Sequence, residues 1–219
     1  YGFDISAFVV MGMKLLRPFL RIGDIIRCQK FGAQIRLADA ASGIHARANG
    51  EGYAIYQPAG ATVGFGHLRL SIIDLSEGGK QPKTFQHLHI TFNGEVYNYA
   101  EIKKELEQKG HTFDSHSDTE VILHAYAEWG AAALQRFIGM YAFVIYDEKK
   151  QNLFACRDRA GVKPFFYYWK NGLFLFGSEL KALMQHPGFV KEIDINAAAA
   201  FMQYGYIPTP HCIFQHTYK

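Results

Sequence analysis

Residues 140–147, MYAFVIYD, and residues 152–158, NLFACRD, separated by Glu148-Lys149-Lys150-Gln151, decide the fold class. Both runs are rich in aromatic and β-branched residues, and the polar stretch between them has the length of a hairpin loop. The segment therefore predicts two antiparallel strands. Toward the C terminus, PFFYYW at 164–169 and LFLFG at 173–177 flank Lys170-Asn171-Gly172. Asn-Gly is a strong hairpin signal because both residues tolerate positive φ, so a second hairpin is expected there. Toward the N terminus, LHITF at 88–92 alternates and meets Asn93-Gly94, which reads as a strand closed by a turn.

Helical signals fill the intervals. Across residues 99–109, Ile102, Leu106 and Lys/Glu pairs sit at helical spacing, and Gly110 is a natural stop. Ser117-Asp118-Thr119-Glu120 has the form of a capping box opening a second helix, which Gly130 ends. Ser178-Glu179 opens a shorter helix through Gln185, ended by His186-Pro187-Gly188, and residues 196–202 read as helical too. Strands and helices are grouped, and hairpins dominate. That predicts an α+β layered fold of antiparallel sheets covered by helices and argues against a doubly wound parallel sheet.

The bulk numbers set limits on function. With 219 residues, 49% hydrophobic and 20% charged, the chain has the makings of one large globular domain. A net charge of +3 is too weak to argue for a nucleic-acid partner. The excess is local: residues 1–36 hold six Lys/Arg against two Asp. Cys28, Cys156 and Cys212 are widely spaced without a CxxC, which argues against a disulfide framework or zinc site and fits a reducing, cytoplasmic setting. No apolar run reaches the ~18 residues needed to cross a bilayer, and Lys14 and Arg17 interrupt the apolar stretch at 7–20, so no membrane partner is expected.

Four ordered stretches carry more specific information. They are GHLRLSIIDL at 66–75 followed by GKQP at 79–82; FNGEVYN at 92–98; SHSDTEVI at 115–122; and RDRAGVKP at 157–164 continued by GSELKAL at 177–183. Together they resemble the glutamine amidotransferase domain of asparagine synthetases, an N-terminal-nucleophile hydrolase fold of two mainly antiparallel sheets flanked by helices. The resemblance runs over residues 37–200, with 201–219 similar to the start of a connection to a synthetase domain that this chain is expected to lack. Residues 1–36 are unmatched and are a candidate non-native start.

The resemblance implies a set of roles. Arg69 matches the clamp for the glutamine α-carboxylate, where a guanidinium grips two oxygens in parallel. Leu70, Ser71, Ile72 and Ile73 would be the strand offering main-chain contacts beside it. Asp118 matches the position that meets the α-ammonium, with Glu95 nearby. Asn93 and Gly94 match the oxyanion hole, a side-chain amide and a main-chain N–H aimed at the developing negative oxygen. Glutamine is the implied ligand, the synthetase domain is the implied partner, and a homodimer is a candidate assembly. No metal or cofactor is implied for this chain; ATP and magnesium belong to the synthetase domain.

The nucleophile is where the resemblance fails. In this family it is an N-terminal cysteine whose own α-amine serves as base. Here Tyr1-Gly2-Phe3 puts a phenol of pKa ~10 in that place. Cys28 precedes His45 by only 17 residues, an interval that one strand of ~5–6 residues and one helix of ~11–12 would consume. The loop around His45, HARANGEG at 45–52, also departs from the family's His-Arg-Gly-Pro-Asp-Gly. The expectation is therefore an inactive or incomplete glutaminase domain, with a glutamine-binding or scaffold module as the alternative.

Individually, every one of these residues also has an ordinary reading. Arg69 suits a surface strand, Asn93-Gly94 a turn, and Asp118 a helix start. His87 and His89 share one strand face in this reading; a polar face is favoured over a metal site because no third ligand is near. The aromatic run at 165–169 is expected to fill a hairpin core, and Arg157-Asp158-Arg159 to form an internal ion-pair network.

Overall fold

The computed structural model describes residues 7–11, 13–14, 25–28, 50–58, 61–69 and 80–219. Twelve strands form two six-stranded sheets among these residues. One sheet has the order β12 (Thr217–Tyr218), β10 (Phe166–Lys170), β11 (Leu173–Gly177), β1 (Ala7–Met11), β5 (Thr62–Arg69), β4 (Gly50–Tyr56). The other runs β2 (Met13–Lys14), β3 (Ile25–Cys28), β9 (Asn152–Arg157), β8 (Gly139–Asp147), β7 (Leu88–Val96), β6 (Lys83–Phe85). Every pairing is antiparallel.

The period of two along β8 builds the layers. Ala142, Val144 and Tyr146 point toward the first sheet, meeting Val63, Phe65, Phe174 and Phe176. Tyr141, Phe143 and Ile145 point the other way, onto α1 (Tyr99–Gln108) and α2 (Asp118–Trp129), where Ile102, Leu106, Val121 and Ile122 receive them. Both faces of the strand are buried, which is why it reads as a near-continuous apolar run. Each fully buried Phe or Ile here contributes about 1.5–3 kcal/mol relative to an exposed one. The far face of the first sheet is covered by α3 (Leu180–Leu183), with Tyr168, Leu175, Leu183 and Phe189 in contact. The result is helix, sheet, sheet, helix: the α+β sandwich expected.

The helix ends follow their capping chemistry. Ser117 Oγ accepts from the Thr119 N–H at the start of α2, and Gly130 ends it at φ 57°. Asp194 accepts from the Asn196 and Ala197 N–H groups to open α4 (Ile195–Tyr204). Two expectations need correction. β7 does not stop before Asn93-Gly94 but runs through them to Val96, because β8 continues opposite as far as Gly139. The helix expected from Ser178 through Gln185 is a single turn whose cap position is Glu179, without a side-chain cap, while Ser178, one residue earlier, accepts from Asn93.

Candidate active site

The last four residues of β7 and the first of α2 converge. Asn93 is 3% exposed and, like Thr91 two residues earlier, has a side-chain oxygen buried without a hydrogen-bond partner. Its Nδ2 donates to Ser178 Oγ at 2.9 Å, joining the end of β7 to the end of β11 in the opposite sheet. Gly94 lies opposite Tyr141 at φ 145°, and an added Cβ would run into the Met140 carbonyl oxygen and lie 2.7 Å from Tyr141 Cα. Only glycine fits there, for two independent reasons.

The Val96 N–H donates to Asp118 Oδ2 at 3.1 Å, tying the start of α2 to the strand next to Glu95. Burial pushes the Asp118 carboxyl up to about 6, and the nearby Glu95 charge adds to that, while the N–H groups of Val96 and Thr119 work against it. A desolvated carboxyl beside a second acidic residue is a setting in which a nearby cation would be favoured.

Of the expected site residues, Asn93, Gly94 and Glu95 are consecutive on β7, and Asp118 is tied to the same strand end through Val96. Arg69 is the last residue of β5, paired with Gly50, in the sheet that β7 faces. Leu70, Ser71, Ile72 and Ile73 lie outside the described residues, as do Tyr1 and His45. Cys28 lies in β3, opposite Met13. Cys156 and Cys212 are both buried, and burial raises both thiols, that of Cys156 far above an exposed thiol, which makes them poor nucleophiles.

The remaining sequence candidates resolve as structure. His87 and His89 do not share a strand face: His87 is in the turn before β7, and His89 is buried, with Nδ1 2.9 Å from Thr84 Oγ1 and its ring 4.1 Å from that of Tyr56. Among the described residues no group of three His, Cys, Asp or Glu is placed to hold a metal. Arg157 and Asp158 serve the backbone rather than an ion-pair network. Arg157 donates to the Gly161 and Lys163 carbonyls, each at 2.7 Å, and Asp158 accepts from the Tyr141, Val162 and Lys163 N–H groups. Two residues with a place beside the site went without a role in the sequence reading, Ser178 and Glu120. Glu120 was legible as the fourth position of a capping box within the family-like stretch SHSDTEVI. Ser178 was legible as a helix-opening residue within the family-like stretch GSELKAL, but not as a partner of Asn93. Among the described residues no helix is long and apolar enough to cross a membrane.

The sequence profile of a glutamine amidotransferase domain family matches residues 31–219. Asparagine synthetase 3 (glutamine-hydrolyzing) of Bacillus subtilis is 44% identical over 150 residues, which cover 67% of this chain and 24% of that protein. A putative glutamine-hydrolyzing asparagine synthetase 2 of Methanocaldococcus jannaschii is 38% identical over 193 residues, covering 80% of this chain and 37% of that one. The chain thus spans about a quarter to a third of the length of these relatives. A solved glutamine phosphoribosylpyrophosphate amidotransferase of B. subtilis superimposes at TM-score 0.49 with 25% identity, over 57% of this chain and 29% of that one.

Proposed function

This chain belongs to the glutamine amidotransferase domain family, and from that premise we propose that it grips free glutamine at the junction of β7 and α2. Asp118, with Glu95, takes the α-ammonium. Arg69 takes the α-carboxylate, flanked by the main chain of residues 70–73. Asn93 and Gly94 face the side-chain carbonyl as an oxyanion hole. In the intact parent the released ammonia would pass to a synthetase domain, which uses ATP and magnesium to amidate aspartate in the cytoplasm.

One observation supports this reading above the others. Glu95 and the buried, half-partnered amide of Asn93 stand on the last four residues of β7, and Asp118 at the start of α2 is bonded to the last of those four, so a carboxyl pair suited to an ammonium and an amide suited to a carbonyl share one junction. At ~3.3 Å per residue, Asn93 and Val96 are about 10 Å apart, which leaves room for one amino acid with a hydrogen-bond contact at each end. Calorimetry with L-glutamine tests it: Arg69→Ala and Asp118→Asn should each weaken binding, by about 2–5 kcal/mol where the contact is a buried charged pair. Binding indifferent to both substitutions would refute the assignment.

A second reading, a module that binds glutamine without hydrolysing it, draws on the two buried, high-pKa thiols Cys156 and Cys212. Ammonia release that thiol alkylation abolishes favours the glutaminase. Glutamine binding with no turnover at high protein concentration favours the binding module.

A further inference from the structure

Glu120 does not do what its place in the capping box suggests. In that motif the fourth residue reaches back to the N–H of the cap residue, here Ser117. The Ser117 N–H instead donates to Ser115 Oγ at 3.2 Å. The Glu120 carboxylate, 4% exposed, reaches further back and accepts from the Asp114 N–H at 2.9 Å, the Ser115 N–H at 2.8 Å, and the Ser115 hydroxyl. Burial disfavours its charge, but the Ser115 hydroxyl, the Asp114 N–H, Lys83 and the Ser115 N–H together outweigh that and hold the carboxyl below its ordinary range.

The network extends to two other elements. Lys83 on β6 lies 3.5 Å from Glu120 Oε2 and donates to Ser115 Oγ at 3.0 Å. Lys103 on α1 donates to the Ser115 carbonyl at 3.1 Å. Lys83 belongs to the hairpin whose second strand, β7, carries Asn93, Gly94 and Glu95 just before its end at Val96. The loop held by Glu120, residues 114–117, ends directly before Asp118. The Lys83–Glu120–Ser115 bridge therefore fastens the start of α2 to the same hairpin that bears the amide end of the site. Val96 N–H makes the second fastening, from the strand to Asp118 itself.

We propose that Glu120 is a positioning residue: by holding the 114–117 loop against the β6–β7 hairpin it sets where the Asp118 carboxylate stands, and so gives the site its selectivity for an α-ammonium. The inference rests on the glutamine reading above and deepens it. Glu120 does not touch the ligand. Its removal lets Asp118 drift from the ammonium while leaving the carboxylate and carboxamide contacts in place.

The test is calorimetry on the full 219-residue chain with two ligands. One is L-glutamine; the other is glutaramate, which keeps the carboxylate and carboxamide but lacks the ammonium. In Glu120→Gln, affinity for L-glutamine should fall about tenfold, the scale of one hydrogen bond to a charged group, while glutaramate changes by less than about twofold. Added to Asp118→Asn, the same substitution should cost nothing further. Equal weakening for both ligands assigns Glu120 to general stability and overturns the proposal, as does no weakening for either. Should Glu120→Gln fail to fold, Ser115→Ala decides: it should show the same ligand-selective loss at about threefold, and its absence overturns the idea. If the unaltered chain takes up no glutamine, the underlying glutamine reading falls first, a result distinct from all of these.

Discussion

The chain contains the dipeptide Asn-Gly twice in places where it matters, and the two copies do opposite things. Asn171-Gly172 makes the two-residue turn between β10 and β11, at φ 51° and 81°, with Lys170 facing Leu173 across it. Asn171 is exposed. Asn93-Gly94 sits inside a nine-residue strand, with the Asn amide buried between sheets and the Gly pressed on the backbone of β8. The dipeptide announces a backbone with unusual freedom in both cases. In the turn that freedom reverses the chain; in the strand it permits a close approach at the site.

Substitution of the two glycines separates these roles most sharply. Gly94→Ala must absorb both an unfavourable φ and a Cβ driven into the β8 backbone, so the unfolding free energy should drop by more than about 3 kcal/mol, read from urea denaturation midpoints. An unchanged midpoint would return Asn93-Gly94 to an ordinary surface turn.

A smaller effect tests the ionisable surroundings that only the strand copy has. Asp118 has a folded pKa of about 6, above its usual value of 3.8. Its contribution to stability is therefore fully present below pH ~4 and lost as pH rises through about 6. Asp118→Asn should flatten stability between those limits and leave the protein about 1–2 kcal/mol more stable than the unaltered chain at pH 8, while weakening glutamine binding. A variant less stable at pH 8 would contradict the placement of this carboxyl in a desolvated site. The smallest change belongs to the turn. Gly172→Ala should cost about 1 kcal/mol, the penalty for an L residue held at positive φ, and leave ligand affinity unchanged by calorimetry.

Much of the fold was legible because its signals are local. The β8–β9 and β10–β11 hairpins, the stops at Gly110 and Gly130 and the Asp118 helix start each depend on residues within a few positions of one another. The candidate site was proposed from residue types through the resemblance to a family, while each residue taken singly also had an ordinary reading. Gln81 shows why: its side-chain oxygen accepts from the buried Phe92 N–H at 2.7 Å, a partnership eleven residues apart that no local pattern announces. The apolar run of α4 marks a helix, but Ala197 is its only buried residue among ten, and Ile195, Phe201, Met202 and Tyr204 stay exposed. Apolarity alone did not say what, if anything, lies against it.

By themselves the residues determined period, turns and helix ends, since those follow from dihedral preferences and hydrogen bonds reached within a turn or two. Only the tertiary structure decided that β7 runs on through Asn93-Gly94, that Ser178 crosses between sheets to meet Asn93, and that Glu120 bypasses its own helix cap. Each of those outcomes depends on burial. A polar group shut away from water must find a partner wherever the packed layers place one, and sequence distance has no bearing on that search.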